Sequence, residues 1–173
     1  RLCEGRTTIV FGSGNPRAEF VVIGEGPGAD EDAQGLPFVG RAGQLLTRML
    51  EARKVELSRE EAFVTNAVKC RPPANRNPEA DELAACAPFL AAQLAALQPK
   101  VILSLGSVAT QSLLGTREPI GKLRGRVHPY GSAVLIPTFH PAFLLRNPGD
   151  EYKRLAWEDL QLARREYDKR RTR

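Results

Sequence analysis

The chain has 173 residues, 42% hydrophobic and 26% charged, which excludes a disordered or fibrous protein and leaves room for one well-cored domain over 1–173. No apolar run reaches membrane-spanning length and no stretch reads as a signal peptide, so no membrane partner is expected, and the expected location is the cytoplasm of a prokaryote, near the nucleoid. A net charge of +5 and a pI near 9.4 favour a polyanionic partner, while three cysteines, an odd number, argue against a disulfide framework and for a reducing compartment.

Residues 1–18 read as an irregular lead-in, with turn chemistry at Phe11-Gly12-Ser13-Gly14-Asn15-Pro16. Phe20–Ile23, apolar on both faces, reads as a central parallel strand. It delivers the chain into Gly24-Glu25-Gly26-Pro27-Gly28, whose glycines let backbone approach a ligand closely. Asp30, Glu31 and Asp32 follow, and with Glu25 they disfavour a pyrophosphate guest, so a neutral, flat ligand and a catalytic carboxylate are expected.

Apolar residues at helical spacing, Ala42, Leu45, Leu46, Met49 and Leu50, predict an amphipathic helix over 41–54, and Ser58 begins a short capped turn. Ala62–Thr65 reads as the second strand, ending at Asn66, and Lys69–Pro78 as a proline-rich loop. A long Ala/Leu helix is predicted over 79–98, a third buried strand over 101–105 and a helix over 107–114. Residues 125–130 and 133–138 read as two strands around Gly131-Ser132, the second delivering Phe139-His140-Pro141, and a last helix is predicted over 151–168. This alternation predicts an α/β fold, a three-layer α/β/α sandwich around a central, mainly parallel four-stranded sheet.

The carboxyl ends of such strands form the binding edge, and here they would collect Glu25, Asn66, Gly106 and His140. Asn66 either reads the edge of a nucleobase with its planar amide or simply ends a strand. Phe38, in the loop Leu36-Pro37-Phe38-Val39-Gly40, either stacks on a ligand or packs in the core. His140 is placed to donate to an oxygen that gains negative charge, whereas His128 reads as structural or exposed. Glu25 is suited to orienting a water or stabilising positive charge on a sugar.

Four signatures in this order carry a resemblance. Gly24-Glu25-Gly26-Pro27-Gly28, Gly35-Leu36-Pro37-Phe38-Val39-Gly40, Thr65-Asn66-x-x-Lys69-Cys70-Arg71-Pro72-Pro73 and Phe139-His140-Pro141-Ala142-Phe143-Leu144-Leu145-Arg146 together resemble the family 4, iron–sulfur type, uracil-DNA glycosylases, over about Leu2 to Leu160. The resemblance implies a monomeric repair enzyme that flips deoxyuridine out of DNA and hydrolyses its N-glycosidic bond, leaving an abasic site. It implies that Phe38 stacks on uracil, that Asn66 reads its N3/O4 edge, that His140 meets O2, and that Glu25, Gly26 and Pro27 line the pocket. In the best-known uracil-DNA glycosylases an aspartate stands where this chain has Gly26, so water activation falls to Glu25 first, with Glu31 or Asp32 as alternatives.

Leu144 and Leu145 read either as an apolar wedge for the hole left by a flipped nucleotide or as the core face of a short helix. Arg146, Arg71, Arg76, Lys122, Arg124 and Arg126 are candidate phosphate contacts. The resemblance also implies a [4Fe–4S] cluster on four thiolates, of which Cys70 and Cys86 match two, with the other two ligands expected upstream of Arg1 in a longer chain; Cys3 is set aside as a bystander. The alternatives are a relative that binds or cross-links uracil-DNA without turnover, and a DNA-binding protein that uses the fold without excision. No repair or sliding-clamp partner is legible in the sequence.

Overall fold

The computed structural model describes residues 2–172. Its core is a run of four parallel strands, β2 (Phe20–Gly24), β3 (Phe63–Asn66), β4 (Val101–Leu105) and β6 (Ala133–Thr138), within a six-stranded sheet. The two further strands, β1 (Ser13–Gly14) and β5 (His128–Tyr130), extend the edges antiparallel to β3 and β6, giving the order β1-β3-β2-β4-β6-β5. Of the five strands read from the sequence, four are the parallel core of a sheet wider than the four strands expected, and the one read over 125–130 is the edge strand β5. β1 is only two residues long, too short to show any periodicity in sequence.

β2, β4 and β6 are buried along their whole length, as strands covered on both faces must be. One face, through Phe20, Val22, Val64, Leu103 and Ile136, packs on α2 (Arg41–Glu51) and α7 (Asp150–Arg170). The other, through Val21, Ile23, Ile102 and Leu135, packs on Leu90, Leu94 and Leu97 of α3 (Ala80–Leu97) and Leu113 and Leu114 of α4 (Gly106–Leu114). This is the three-layer α/β/α sandwich the alternation predicted.

Two short helices escape the sequence pattern, α1 (Ala29–Gln34) and α5 (Ile120–Leu123), while the short helix offered as one reading of Leu144 and Leu145 is α6 (Pro141–Arg146). The acidic run Asp30-Glu31-Asp32 is the first turn of α1, where carboxylates suit the helix dipole. β2 lies between β3 and β4, so the chain leaves β2 to one side and later returns to the other. That reversal opens a crevice at the carboxyl ends of the strands.

Candidate active site

The crevice is a cleft of about 570 Å3. It gathers Glu25 from the end of β2, Asn66 from the end of β3, Gly106 from the end of β4 and His140 from beyond β6, with Gly26, Pro27, Phe38 and Arg146 also on its walls. The four strand ends that the sequence marked are thus brought together.

Gly24 shows how tightly the floor is built. The point where a Cβ on Gly24 would lie is 2.3 Å from Phe38 Cζ and 2.6 Å from Asn66 Oδ1, so only glycine permits this approach. Asn66 is 2% exposed, and its Oδ1 is the one buried side-chain polar atom without a hydrogen-bond partner among the described residues. A buried amide oxygen left unpaired is costly, so this one stands as an open acceptor on the cleft wall.

His140 caps α6, with Nδ1 accepting from the Ala142 amide at 3.0 Å. That bond fixes the neutral tautomer with the proton on Nε2. Burial, seconded by the positive charge of Arg146, lowers its pKa to about 4, so the imidazole is neutral near pH 7. Gly106, at φ +85°, brings its backbone against the same ring, where an added Cβ would lie 3.1 Å from His140 Cβ. Phe38 and His140 are 5.8 Å apart between ring centroids.

The carboxylates separate by role. Asp32 is buried and accepts from the amides of Thr7 (2.8 Å) and Thr8 (3.1 Å), anchoring the lead-in segment. Glu31 accepts from the amides of Gly28 (3.1 Å), Val39 (2.7 Å) and Gly40 (2.7 Å), folding the loop that carries Phe38. Both are occupied with backbone. Glu25 is half-buried in the cleft, and its pKa is raised by burial and opposed by Arg146. Gly26 leaves no room for a side chain, because a Cβ there would lie 2.6 Å from Cγ2 of buried Val68.

The matched pattern is decisive when set beside known proteins. The description "Uracil DNA glycosylase superfamily" fits residues 11–161. A "Type-4 uracil-DNA glycosylase" of Thermotoga maritima is 46% identical over 92% of this chain and 83% of that protein. The chain belongs to the type-4 uracil-DNA glycosylases. A second type-4 enzyme, from Saccharolobus solfataricus, is 47% identical over 86% of this chain and 72% of its own length. A "Type-5 uracil-DNA glycosylase" of Pyrobaculum aerophilum is more distant, 29% identical over 79% of this chain and 66% of that protein.

Around this type-4 cleft the basic candidates divide. Arg146 is exposed on the cleft wall beside His140, whereas Arg71 lies outside the cleft lining, donating to Asn75 Oδ1 (2.8 Å) and acting electrostatically on Asp32. Arg76 lines the cleft, but its guanidinium is engaged by Glu82 at 2.6 and 2.9 Å. Arg124 is removed from the list: it is paired bidentately with fully buried Asp159 at 2.9 and 2.7 Å, which also accepts from Thr138. Lys122 and Arg126 are exposed. The two leucines also divide. Leu144 is buried against Phe139 and Ala156 and so cannot enter a base stack, whereas Leu145 is 36% exposed.

A second cavity, of about 350 Å3, lies between the lead-in segment, the loop after β3 and α3, and its walls include Cys3, Arg6, Lys69, Cys70 and Cys86. Cys3, set aside from the sequence, thus comes to the same cavity as Cys70 and Cys86. All three thiols are free, and Arg6 Nη1 donates to Cys70 Sγ at 2.9 Å. Lys69, unremarked in the sequence beyond its place in the motif, is 3% exposed and donates to Thr65 Oγ1 (2.7 Å), the Asn66 carbonyl (2.7 Å) and Gln93 Oε1 (2.6 Å). Burial lowers its pKa to about 8, against the opposing effect of Cys86.

Proposed function

We propose that this chain is a monofunctional uracil-DNA glycosylase that takes deoxyuridine into the cleft and hydrolyses its N-glycosidic bond, releasing uracil and leaving an abasic site. The observation that carries the reading is the buried, unpartnered Oδ1 of Asn66 beside the Phe38 ring across Gly24. A flat base stacked on Phe38 would present its edge to that amide. Uracil offers an N3–H donor to Oδ1 and an O4 acceptor to the amide NH2, a pairing cytosine reverses. Extrusion of the base is needed because the reacting bond is inaccessible inside a duplex.

In the transition state the sugar becomes cationic and the base anionic. The Nε2–H of neutral His140 is the donor suited to O2 as charge gathers there, and being pre-oriented by Ala142 it needs no reorganisation. Of the three cleft carboxylates, Glu31 is committed to backbone amides and Asp30 is exposed, whereas Glu25 is half-buried and faces Arg146, so Glu25 is the group proposed to orient the attacking water and face the sugar cation. Arg146 and Arg71 would hold phosphates, and Leu145 would occupy the space vacated by the flipped base.

The second cavity holds three free thiols of the four thiolates that a [4Fe–4S] cluster takes, with Arg6 already donating to one of them, and this supports a cluster there. Cys70 and Cys86 would hold the group, with Cys3 a third sulfur at the same wall. Bound there, a [4Fe–4S] cluster supplies a cross-link between the segment after β3 and α3. The test of the function is incubation with a uracil-containing oligonucleotide followed by alkali. Strand cleavage at uracil, and none in the matched cytosine strand, is expected; an uncut strand contradicts the reading.

A further inference from the structure

Phe38 stands in a conformation that its side chain does not favour. Its φ is +51°, the left-handed region that L residues with a Cβ enter only at a cost. Gly43 of α2 presses on its backbone from one side, since a Cβ there would lie 2.0 Å from Phe38 C and O. Something must therefore hold the turn, and the hydrogen bonds identify two groups that do so from opposite sides.

Glu31 takes the amides that follow Phe38, those of Val39 and Gly40. Arg59, from the segment between α2 and β3, takes the carbonyls: Nη2 donates to Pro37 O at 2.6 Å and Nη1 to Phe38 O, with Thr47 Oγ1 at 3.4 Å. The planar fork of a guanidinium suits two successive carbonyls in a way an ammonium does not. Arg59 lies outside the cleft, on the far side of the Phe38 loop.

We infer that Arg59 is a positioning residue for uracil recognition: by clamping the carbonyls of Pro37 and Phe38 it holds the Phe38 ring as the stacking wall opposite Asn66. This rests on reading the cleft as a uracil pocket. Arg59 touches neither base nor sugar, so its contribution passes wholly through Phe38.

A double-mutant cycle tests this, using free uracil as the probe. The inhibition constant for uracil and the single-turnover excision rate are measured for wild type, Arg59→Met, Phe38→Ala and the double variant, with melting temperature recorded for each. Arg59→Met is expected to weaken uracil binding by about 10- to 100-fold, as small misplacements at a binding wall do. On the Phe38→Ala background the same change should have almost no effect on uracil, although it lowers the melting temperature in both. Equal losses in the two backgrounds, or unchanged uracil affinity in folded Arg59→Met, overturn the inference. If Arg59→Met gives no cooperative melt, Arg59→Lys carries the same cycle, with a smaller loss that must again vanish without the Phe38 ring. A wild-type protein that neither binds uracil nor excises it instead removes the pocket reading, and the inference falls with it before any variant is compared.

Discussion

A single methyl group at Gly24 should disable the cleft while leaving the fold intact. In Gly24→Ala the new Cβ would stand 2.3 Å from Phe38 Cζ, 2.8 Å from its Cε2 and 2.6 Å from Asn66 Oδ1. Ordinary carbon contacts lie at about 3.5–4.0 Å, so the ring has to retreat by roughly 1.2 Å or more. It cannot retreat with its backbone, which is held by Arg59, Glu31 and Gly43. The ring must instead turn into the space proposed for uracil, or Asn66 must move. Gly24 has no left-handed φ that alanine would strain, so the effect is steric alone. Overpacking of this kind costs about 1–3 kcal/mol, a melting shift of about 2–12 °C at this size. Displacing the stacking wall and the base reader should lower single-turnover excision about 100-fold. The assay is quenched-flow or manual excision on a uracil oligonucleotide in enzyme excess, with a thermal melt alongside. Excision within about threefold of wild type from a folded Gly24→Ala protein would refute the claim that Phe38 and Asn66 confront one base.

Other consequences concern the groups around that floor. His140 is neutral when folded, with a pKa of about 4 against about 6.5 in an unfolded chain, so it favours the unfolded state as acid protonates it. Its contribution is fully present above pH 6.5 and is lost as pH falls towards 4; His140→Gln should flatten the stability–pH slope in that window, measured by urea unfolding at several pH values. Glu25→Gln should slow excision at saturating enzyme with DNA affinity near wild type, whereas Glu31→Gln, by freeing the Val39 and Gly40 amides, should chiefly weaken uracil binding and lower the melting temperature. Arg6→Gln removes the donor to Cys70 Sγ, and cluster-loaded protein should then lose its visible absorbance faster under a chelator; an unchanged rate would detach Arg6 from the cluster.

Features written in contiguous residues were legible. Phe20–Ile23 reads as a doubly covered strand because every position is apolar, and its register with β3 sets Gly24 opposite Asn66. The cleft set, Glu25, Phe38, Asn66 and His140, could be nominated because each ends or follows a strand or stands in the loop after one. What escaped is long-range pairing, which leaves no local mark. Arg59 is an ordinary polar residue in its own segment, and only the fold brings it to carbonyls 21 and 22 residues away. Arg124 reads as a surface cation until Asp159, 35 residues on, is seen to pair with it. Glu31 and Asp32 look like a solvated acidic loop because their partners are backbone amides, invisible in residue identity. Leu144 and Leu145 alternate between core and solvent on a helix of six residues, too short for periodicity to assign.

The central claim is that Asn66 reads uracil, and one comparison addresses it directly: excision by wild type and Asn66→Ala on the same uracil strand, with binding to that strand measured in parallel. The account predicts that Asn66→Ala binds DNA almost as wild type does but excises about 100- to 1,000-fold more slowly, the loss expected when a pre-oriented polar group in the site is removed. Excision by Asn66→Ala at the wild-type rate would contradict it.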